Sequence, residues 1–413
     1  MIYSPTRMGR LNKRALIRQL QKAGVASRAE LARALGMSQP TAGKIVDELL
    51  AAQILEATES PGGGTAQLGR PGRQLQLNRS RPRFLGIQLG ITETRLAELP
   101  VGVTEADRWQ ISFKIPARHP NPTVAWEQKL RTAAKRLRTR DFLGVLVSVP
   151  GAVDESANRI LFSPNLHWTE QANLAAIVQK IWRLPVLLVQ EERALALGHQ
   201  LVHPDCEDFL LVDFGEGVGG SVIVGGKPLA SPLPISGEIG HTPVSGNHRR
   251  CGCGATGCME TLVSIRWLLE SFQTAKPNRK KSWCDLCEDI EQNGVQPWLA
   301  QALQAAAVAI AGALNVLGLR RVVITGSLAE MPPAVMQHLG RAIENGAMWA
   351  RFGRVECTAA PRHRAAGLVA VGIDRFIVPD REQNHETPAK KIARLARRVH
   401  TAKKQPTNRN HNR

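Results

Sequence analysis

His241, Cys251, Cys253 and Cys258 stand at the spacing H-x9-C-x-C-x4-C. Three thiolates and an imidazole form a usual tetrahedral set for a soft divalent metal, and zinc is the first choice. Protein would fill all four positions, which points to a structural ion and not a catalytic one. Gly252, Gly254 and Gly257 let the chain fold tightly around it. The alternative is a group of reduced free thiols. The chain has seven cysteines. That odd number, without an export signal, argues against a disulfide framework. Cys284 and Cys287 have C-x-x-C spacing but neither flanking glycines nor a second pair. They read as a helical surface or packing feature.

A second group is Ser38, Gln39, Thr41 and Lys44, small or polar residues at the start of an amphipathic stretch. Ala42, Ile45, Val46 and Leu49 repeat at i, i+3, i+4, i+7 and predict a helix with those residues buried. Ser38 is its N-cap, and Pro40 is tolerated in the first turn. Ser27-Arg28-Ala29-Glu30 reads as a capping box opening an earlier helix, whose apolar side is Leu31 and Leu35. Gly36 supplies the tight turn between the two. Residues 10–22 predict a first helix, with Leu16, Ile17 and Leu20 on one face. This is a helix-turn-helix whose third helix would enter a major groove. Gln39 could read adenine, and Thr41 and Lys44 could meet a base or a phosphate. Strands at 54–56 and 75–77, around a glycine-rich tip at 61–64, make a wing. Within it, Gly69-Arg70-Pro71 could extend Arg70 into a narrow minor groove. The alternatives are a plain three-helix bundle with a polar surface and a solvent-exposed turn.

Charge supports the nucleic-acid reading. Of the net +19, residues 1–83 carry 14 Lys/Arg against 5 Asp/Glu, and residues 381–413 carry 10 against 2. The 297 residues between them are nearly neutral, at 30 against 28. Basic ends around a neutral body make double-stranded DNA the expected partner, against a merely solvated basic surface. With 413 residues, two or three domains are expected. There is no apolar signal core and no run of about 18 apolar residues, so no membrane span and a cytoplasmic location are expected. Residues 78–83 read as a polar, basic linker. From residue 84, apolar runs at 84–89, 143–149, 186–190, 209–214 and 321–325 alternate with helical stretches, the pattern of an α/β body. Residues 379–413 read as a basic tail adding nonspecific DNA attraction, with Ile392, Leu395 and Val399 at helical spacing.

Over about residues 84–378 the body resembles the ROK family of bacterial sugar kinases and sugar-responsive repressors. The resemblance rests on Val149-Pro150-Gly151-Ala152-Val153-Asp154, on Ser163-Pro164-Asn165-Leu166, and on Asp213-Phe214-Gly215-Glu216-Gly217-Val218-Gly219-Gly220. It rests further on Gly237-Glu238-Ile239-Gly240-His241 and, most strongly, on the run from Cys251 through Gly257-Cys258-Met259-Glu260. It implies two actin-like lobes around a sugar cleft, preceded here by the module that the family's repressors carry and its kinases usually lack. It also implies a zinc motif and sugar contacts from Glu238, His241 and Glu260, with Asn165 lining the cleft. Carboxylates accept bonds from sugar hydroxyls, and the second nitrogen of a metal-bound imidazole can face the sugar.

Three departures argue against catalysis. The family's D-x-G-x-T phosphate motif aligns with Gln88-Leu89-Gly90-Ile91-Thr92, where an amide replaces the acid. The catalytic Asp position falls in Gln190-Glu191-Glu192-Arg193, so Glu191 is a base position extended by one methylene. A displacement near 1 Å can cost about 100-fold in rate. Thr325-Gly326-Ser327 stands where family kinases often have paired glycines. Glu191 could still hold a sugar hydroxyl. The Gly215–Gly220 loop remains, though a glycine-rich turn alone is weak evidence for nucleotide. A winged helix-turn-helix (1–80), a ROK effector and dimerisation body (81–378) and a tail (379–413) are therefore expected. The expected function is a non-enzymatic repressor of carbohydrate genes, a homodimer or homotetramer that responds to a sugar or sugar phosphate. The alternatives are a sugar kinase with an added DNA-binding domain and a regulator controlled by a protein partner.

Overall fold

The computed structural model describes residues 5–58, 73–103, 108–115, 119–137, 141–231, 233 and 235–379. Arg70, the expected wing tip and the tail beyond residue 379 lie outside them.

The N-terminal helices are Pro5–Ala23, Arg28–Ala34 and Gln39–Ala51. The capping box is formed: Glu30 N–H donates to Ser27 Oγ at 3.3 Å, and Ser27 N–H donates to Glu30 Oε2 at 2.7 Å. Gly36 takes φ +60, which a side chain would resist, and so turns the chain between the second and third helices. Ala42, Ile45, Val46 and Leu49 are all buried. The wing strands are Leu55–Thr58 and Gln74–Leu77, and a third strand, Val25–Ser27, pairs with the latter. Three residues are too few to give that strand an alternation signal in the sequence.

The body repeats one topology twice. In the first lobe, Pro82–Leu89, Thr94–Pro100 and Ile111–Phe113 run as an antiparallel meander. Gly144–Val149 and then Val186–Gln190 add in parallel on the other side of the first strand. In the second lobe, Phe209–Phe214, Val218–Val224 and Lys227–Pro228 form the meander. Arg321–Gly326 and Glu356–Ala359 add in parallel. Numbered within each lobe, both strand orders read 3-2-1-4-5. The expected strands at 84–89, 143–149, 209–214 and 321–325 are the apolar inner members, and 186–190 is the apolar parallel edge of the first sheet. The meander edges, partly polar, carry no comparable run.

A helix follows the fifth strand of each lobe: Glu191–Val202 in the first and Arg364–Gly372 in the second. The two pack tightly against each other. Glycine makes this possible, since a Cβ on Gly198 would overlap the His363 carbonyl and one on Gly367 the Ala194 carbonyl. Pro297–Leu317 is long and apolar enough, by length and composition, to cross a membrane. Its stripe of Leu299, Leu303, Ala307, Ile310 and Leu314 is buried in the second-lobe core.

Residues 78–83, expected as a polar, basic linker, form a hydrogen-bonded junction. Asn78 is buried, its side-chain oxygen accepts from the N–H groups of Ser80 and Arg81, and its backbone bridges Ile54 and Gly102. Pro82 already begins the first-lobe sheet. The module and the lobe share a single apolar core, in which Leu16, Ile45 and Leu77 join Phe84, Leu99 and Leu368. Polar contacts reinforce the junction. Arg14 donates to the Val378 carbonyl at 2.9 Å and pairs with Asp374 at 2.9 Å, beside the wide turn Ile373–Ile377 that continues the second lobe's crossing helix.

Candidate functional site

The repeated topology points two equivalent hairpin turns at each other. Gly90, Ile91 and Thr92 of the first lobe and Gly215, Glu216 and Gly217 of the second line opposite sides of one cleft. Its volume is about 210 Å³. That is small against the ~300–1,000 Å³ of drug-sized pockets and leaves room for a compact ligand. Gln88, Asn165, Glu191, Glu238, His241 and Glu260 all line this cleft, although 172 residues separate the first from the last.

Glu191 opens the first-lobe crossing helix, and its carboxylate receives Gln88 Nε2 at 3.3 Å. It is also ion-paired with Arg364, the first residue of the opposing helix. Arg364 is buried, at 3% exposure, and Glu191 is largely covered, at 14%. Glu192 lies against Gly219, where a Cβ would come within 2.5 Å of its Oε1. Burial pushes the Glu192 carboxyl well above its ordinary range, and the charges of Glu191, Glu238 and Asp213 push it further. Burial also raises Glu238, with Glu260 adding to the effect. Glu260 is buried and accepts the Val218 N–H at 2.9 Å.

Glu192, Asp213, Arg362 and Arg364 also line the cleft, and no motif gave them a role in the sequence. Asp213 accepts from Arg362 Nε at 2.7 Å and Nη2 at 3.0 Å, and from Thr325 Oγ1 at 2.7 Å. Burial alone would raise Asp213, but the Arg362 guanidinium outweighs it and holds the carboxyl below its usual value. A signal was present, since an acid inside the apolar run Phe209–Phe214 must find a partner.

The metal-type cluster sits at the edge of the cleft. The ligand atoms of His241, Cys251, Cys253 and Cys258 lie within 4.8 Å of one another. His241 Nδ1 is 3.5 Å from Cys251 Sγ, and the sulfurs of Cys253 and Cys258 are 3.7 Å apart. A tetrahedral ion bound at about 2.3 Å to sulfur and about 2.0 Å to nitrogen sets sulfur–sulfur edges of about 3.8 Å and sulfur–nitrogen edges of about 3.5 Å. The donor set and its geometry are therefore compatible with a metal ion. Burial pushes the Cys251 thiol up to about 12, so a thiolate there requires a cation beside it. The other imidazole nitrogen, Nε2, faces Glu238 at 3.7 Å inside the cleft. Cys284 and Cys287 lie on the helix Trp283–Asn293, the first exposed and the second half-buried.

On the N-terminal module, Ser38, Gln39, Thr41 and Lys44 are exposed at the start of the third helix. Ser38 Oγ is engaged as the cap, accepting the Thr41 N–H at 3.4 Å and lying 2.8 Å from Thr41 Oγ1. Gln39 and Lys44 stand on the exposed face of a helix whose opposite face, Ala42, Ile45, Val46 and Leu49, is buried.

The ROK family model matches residues 84–371. A model described as winged helix-turn-helix DNA-binding matches residues 10–56. A putative xylose repressor of Caldicellulosiruptor sp. (strain Rt8B.4) is 24% identical over 396 residues, covering 90% of this chain and 97% of that protein. The DNA-binding transcriptional dual regulator NagC of Escherichia coli (strain K12) is 21% identical over 356 residues, 82% and 86% of the two chains. Among solved structures, a ROK family transcriptional regulator described as a homolog of the E. coli MLC protein superposes with a TM-score of 0.69 at 21% identity, covering 89% of this chain and 97% of its own. A ROK family glucokinase from Streptomyces griseus, in complex with glucose and AMPPNP, shares the body alone, with a TM-score of 0.55, 20% identity and coverage of 71% and 99%. The body's fold is thus common to a transcriptional regulator and a glucokinase. The chain belongs to the ROK family and joins its two-lobed body to a winged helix-turn-helix, as the family's DNA-binding transcriptional repressors do.

Proposed function

We propose that the protein represses genes of carbohydrate uptake or catabolism and that a sugar or sugar phosphate held in the cleft releases it from its operator. The observation carrying this reading is the continuity between cleft and DNA-facing module. Arg364 lines the cleft at one end of its helix, and Asp374, on the turn that continues that helix, meets Arg14 of the first DNA-module helix. A ligand with different affinities for two lobe arrangements would therefore shift the module between DNA-competent and incompetent populations. Glu191, Glu238, His241, Glu260 and Asn165 are the proposed sugar contacts. Gln39, Thr41 and Lys44 are the proposed operator contacts on the third helix, with Ser38 beside them and Arg70 from the wing. A homodimer or homotetramer would present paired recognition helices to two half-sites.

We assign the His241, Cys251, Cys253 and Cys258 cluster to a structural zinc, which would fix the imidazole that faces Glu238. The Glu191–Arg364 pair and the amide of Gln88 support a body without kinase turnover. Genome-wide mapping of bound sites, followed by gel shifts on the recovered operator, tests the function. Lys44→Ala should weaken binding across sequences and reduce the salt slope by about 1 if Lys44 contacts a phosphate. Sites with no relation to carbohydrate genes, or ATP-dependent sugar phosphorylation abolished by Glu191→Gln, would overturn the reading.

A further inference from the structure

The elements of the cleft that could hold an anion already hold carboxylates of the protein. A helix N-terminus attracts negative charge, and the crossing helix Glu191–Val202 begins with two acids in its first turn. A glycine-rich turn offers N–H groups to phosphate, but the Val218 N–H is bonded to Glu260 at 2.9 Å, and Gly215 N–H bonds within the turn to the Gly217 carbonyl. Each guanidinium lining the cleft is matched to an acid: Arg95 to Glu93, Arg362 to Asp213 and Arg364 to Glu191. The Arg362 guanidinium also fills the space beside Gly215, its Nη2 within 2.8 Å of where a Cβ would stand.

Beyond these pairs the balance is acidic. Among the described residues, the lining holds seven Asp or Glu side chains and three Arg, with no Lys. The acids in excess of the three pairs are Glu192, Glu216, Glu238 and Glu260. Glu216 is exposed at the tip of the second-lobe turn, and Glu238 faces His241 across the floor. Burial favours the neutral form of Glu192, which adds a hydroxyl-bonding group without charge, while Glu216, Glu238 and Glu260 accept hydrogen bonds from hydroxyls and repel a dianion.

We propose that the cleft takes a neutral, unphosphorylated sugar and rejects both sugar phosphates and nucleotides. This rests on the reading of the cleft as an effector site and deepens it by choosing between the two ligand classes. A phosphate arriving here would meet the excess carboxylates and would have to break an internal ion pair to gain a guanidinium. A neutral ring displaces none of them.

The test is calorimetric titration of the full chain at physiological salt with matched probes. These are D-glucose and its 6-phosphate, N-acetyl-D-glucosamine and its 6-phosphate, D-xylose and its 1-phosphate, and AMPPNP with magnesium. The expected result is binding of at least one neutral sugar, with its phosphate roughly 100-fold weaker. Glu216→Lys, at an exposed position, should narrow that ratio by about 10-fold, and added salt should narrow it further. A phosphate that binds as tightly as its parent sugar overturns the inference while leaving the effector reading intact. A ratio unmoved by Glu216→Lys and salt overturns the electrostatic basis. Binding of neither class overturns the effector reading and the inference with it.

Discussion

In the first lobe the helix that enters the cleft begins with Glu191, whereas in the second the equivalent helix begins with Arg364. The same strand order leads to both positions, so opposite charges meet where the two repeats face each other. The lobes also differ in what they carry outward. The first, together with the second lobe's crossing helix, shares a core with the DNA-binding module, and the second holds the metal-type cluster beyond its meander. A duplicated fold therefore supplies symmetric scaffolding, while asymmetric residues at the axis fix how the halves sit. The contact is a buried ion pair flanked by a glycine-mediated helix crossing, and both parts can be broken separately.

The largest effect should come from the pair itself. Glu191→Leu leaves Arg364 buried without its carboxylate, and urea unfolding should show a loss of about 3–5 kcal/mol. Adding Arg364→Met should recover most of it. A single-variant loss under about 1 kcal/mol would mean that the pair does not hold the lobes. Next is the crossing. Gly367→Ala must push the helices apart at the Ala194 carbonyl and should cost about 1–3 kcal/mol. Gly312→Ala, in a helix position with nothing within 4 Å, should instead stabilise by about 0.4–1 kcal/mol. Equal outcomes would remove the steric argument.

Chelation sharpens the contrast between the outward loads. Stripping metal should speed amide exchange roughly 10-fold or more around residues 239–264, leaving the first-lobe sheet protected. Uniform loosening of both lobes would refute a local role for the ion. The smallest effect concerns Glu192. Its folded pKa is raised, so its contribution is present below the ordinary carboxylate range and is lost as pH rises through the folded value. Stability of the parent protein should therefore decline above about pH 4.3, and Glu192→Gln should flatten that decline. Identical pH–stability curves would show that Glu192 is solvated like a surface acid.

The DNA-binding module was legible because its signals are local. Ser27 with Glu30, Gly36, and Ser38 with Pro40 each act within four residues, and all form as read. The cleft was legible only where a motif marked it. Arg362 meets Asp213 across 149 residues, and Arg364 meets Glu191 across 173. No periodicity reports which arginine a strand order will bring to which acid. The segment 78–83 misled for a related reason. Its polar residues satisfy one another in a turn, and composition alone does not separate that turn from a solvated connector.

The shared core has a consequence for how such a molecule can be assembled or rearranged. Leu16, Ile45 and Leu77 complete an interior begun by Phe84 and Leu368, so a cut at residue 80 would expose apolar surface on both pieces. The DNA-reading part cannot be transplanted onto an unrelated sensor without rebuilding its underside. It should melt together with the first lobe in a single transition, and any recombination that swaps it must carry part of the sugar-facing body along.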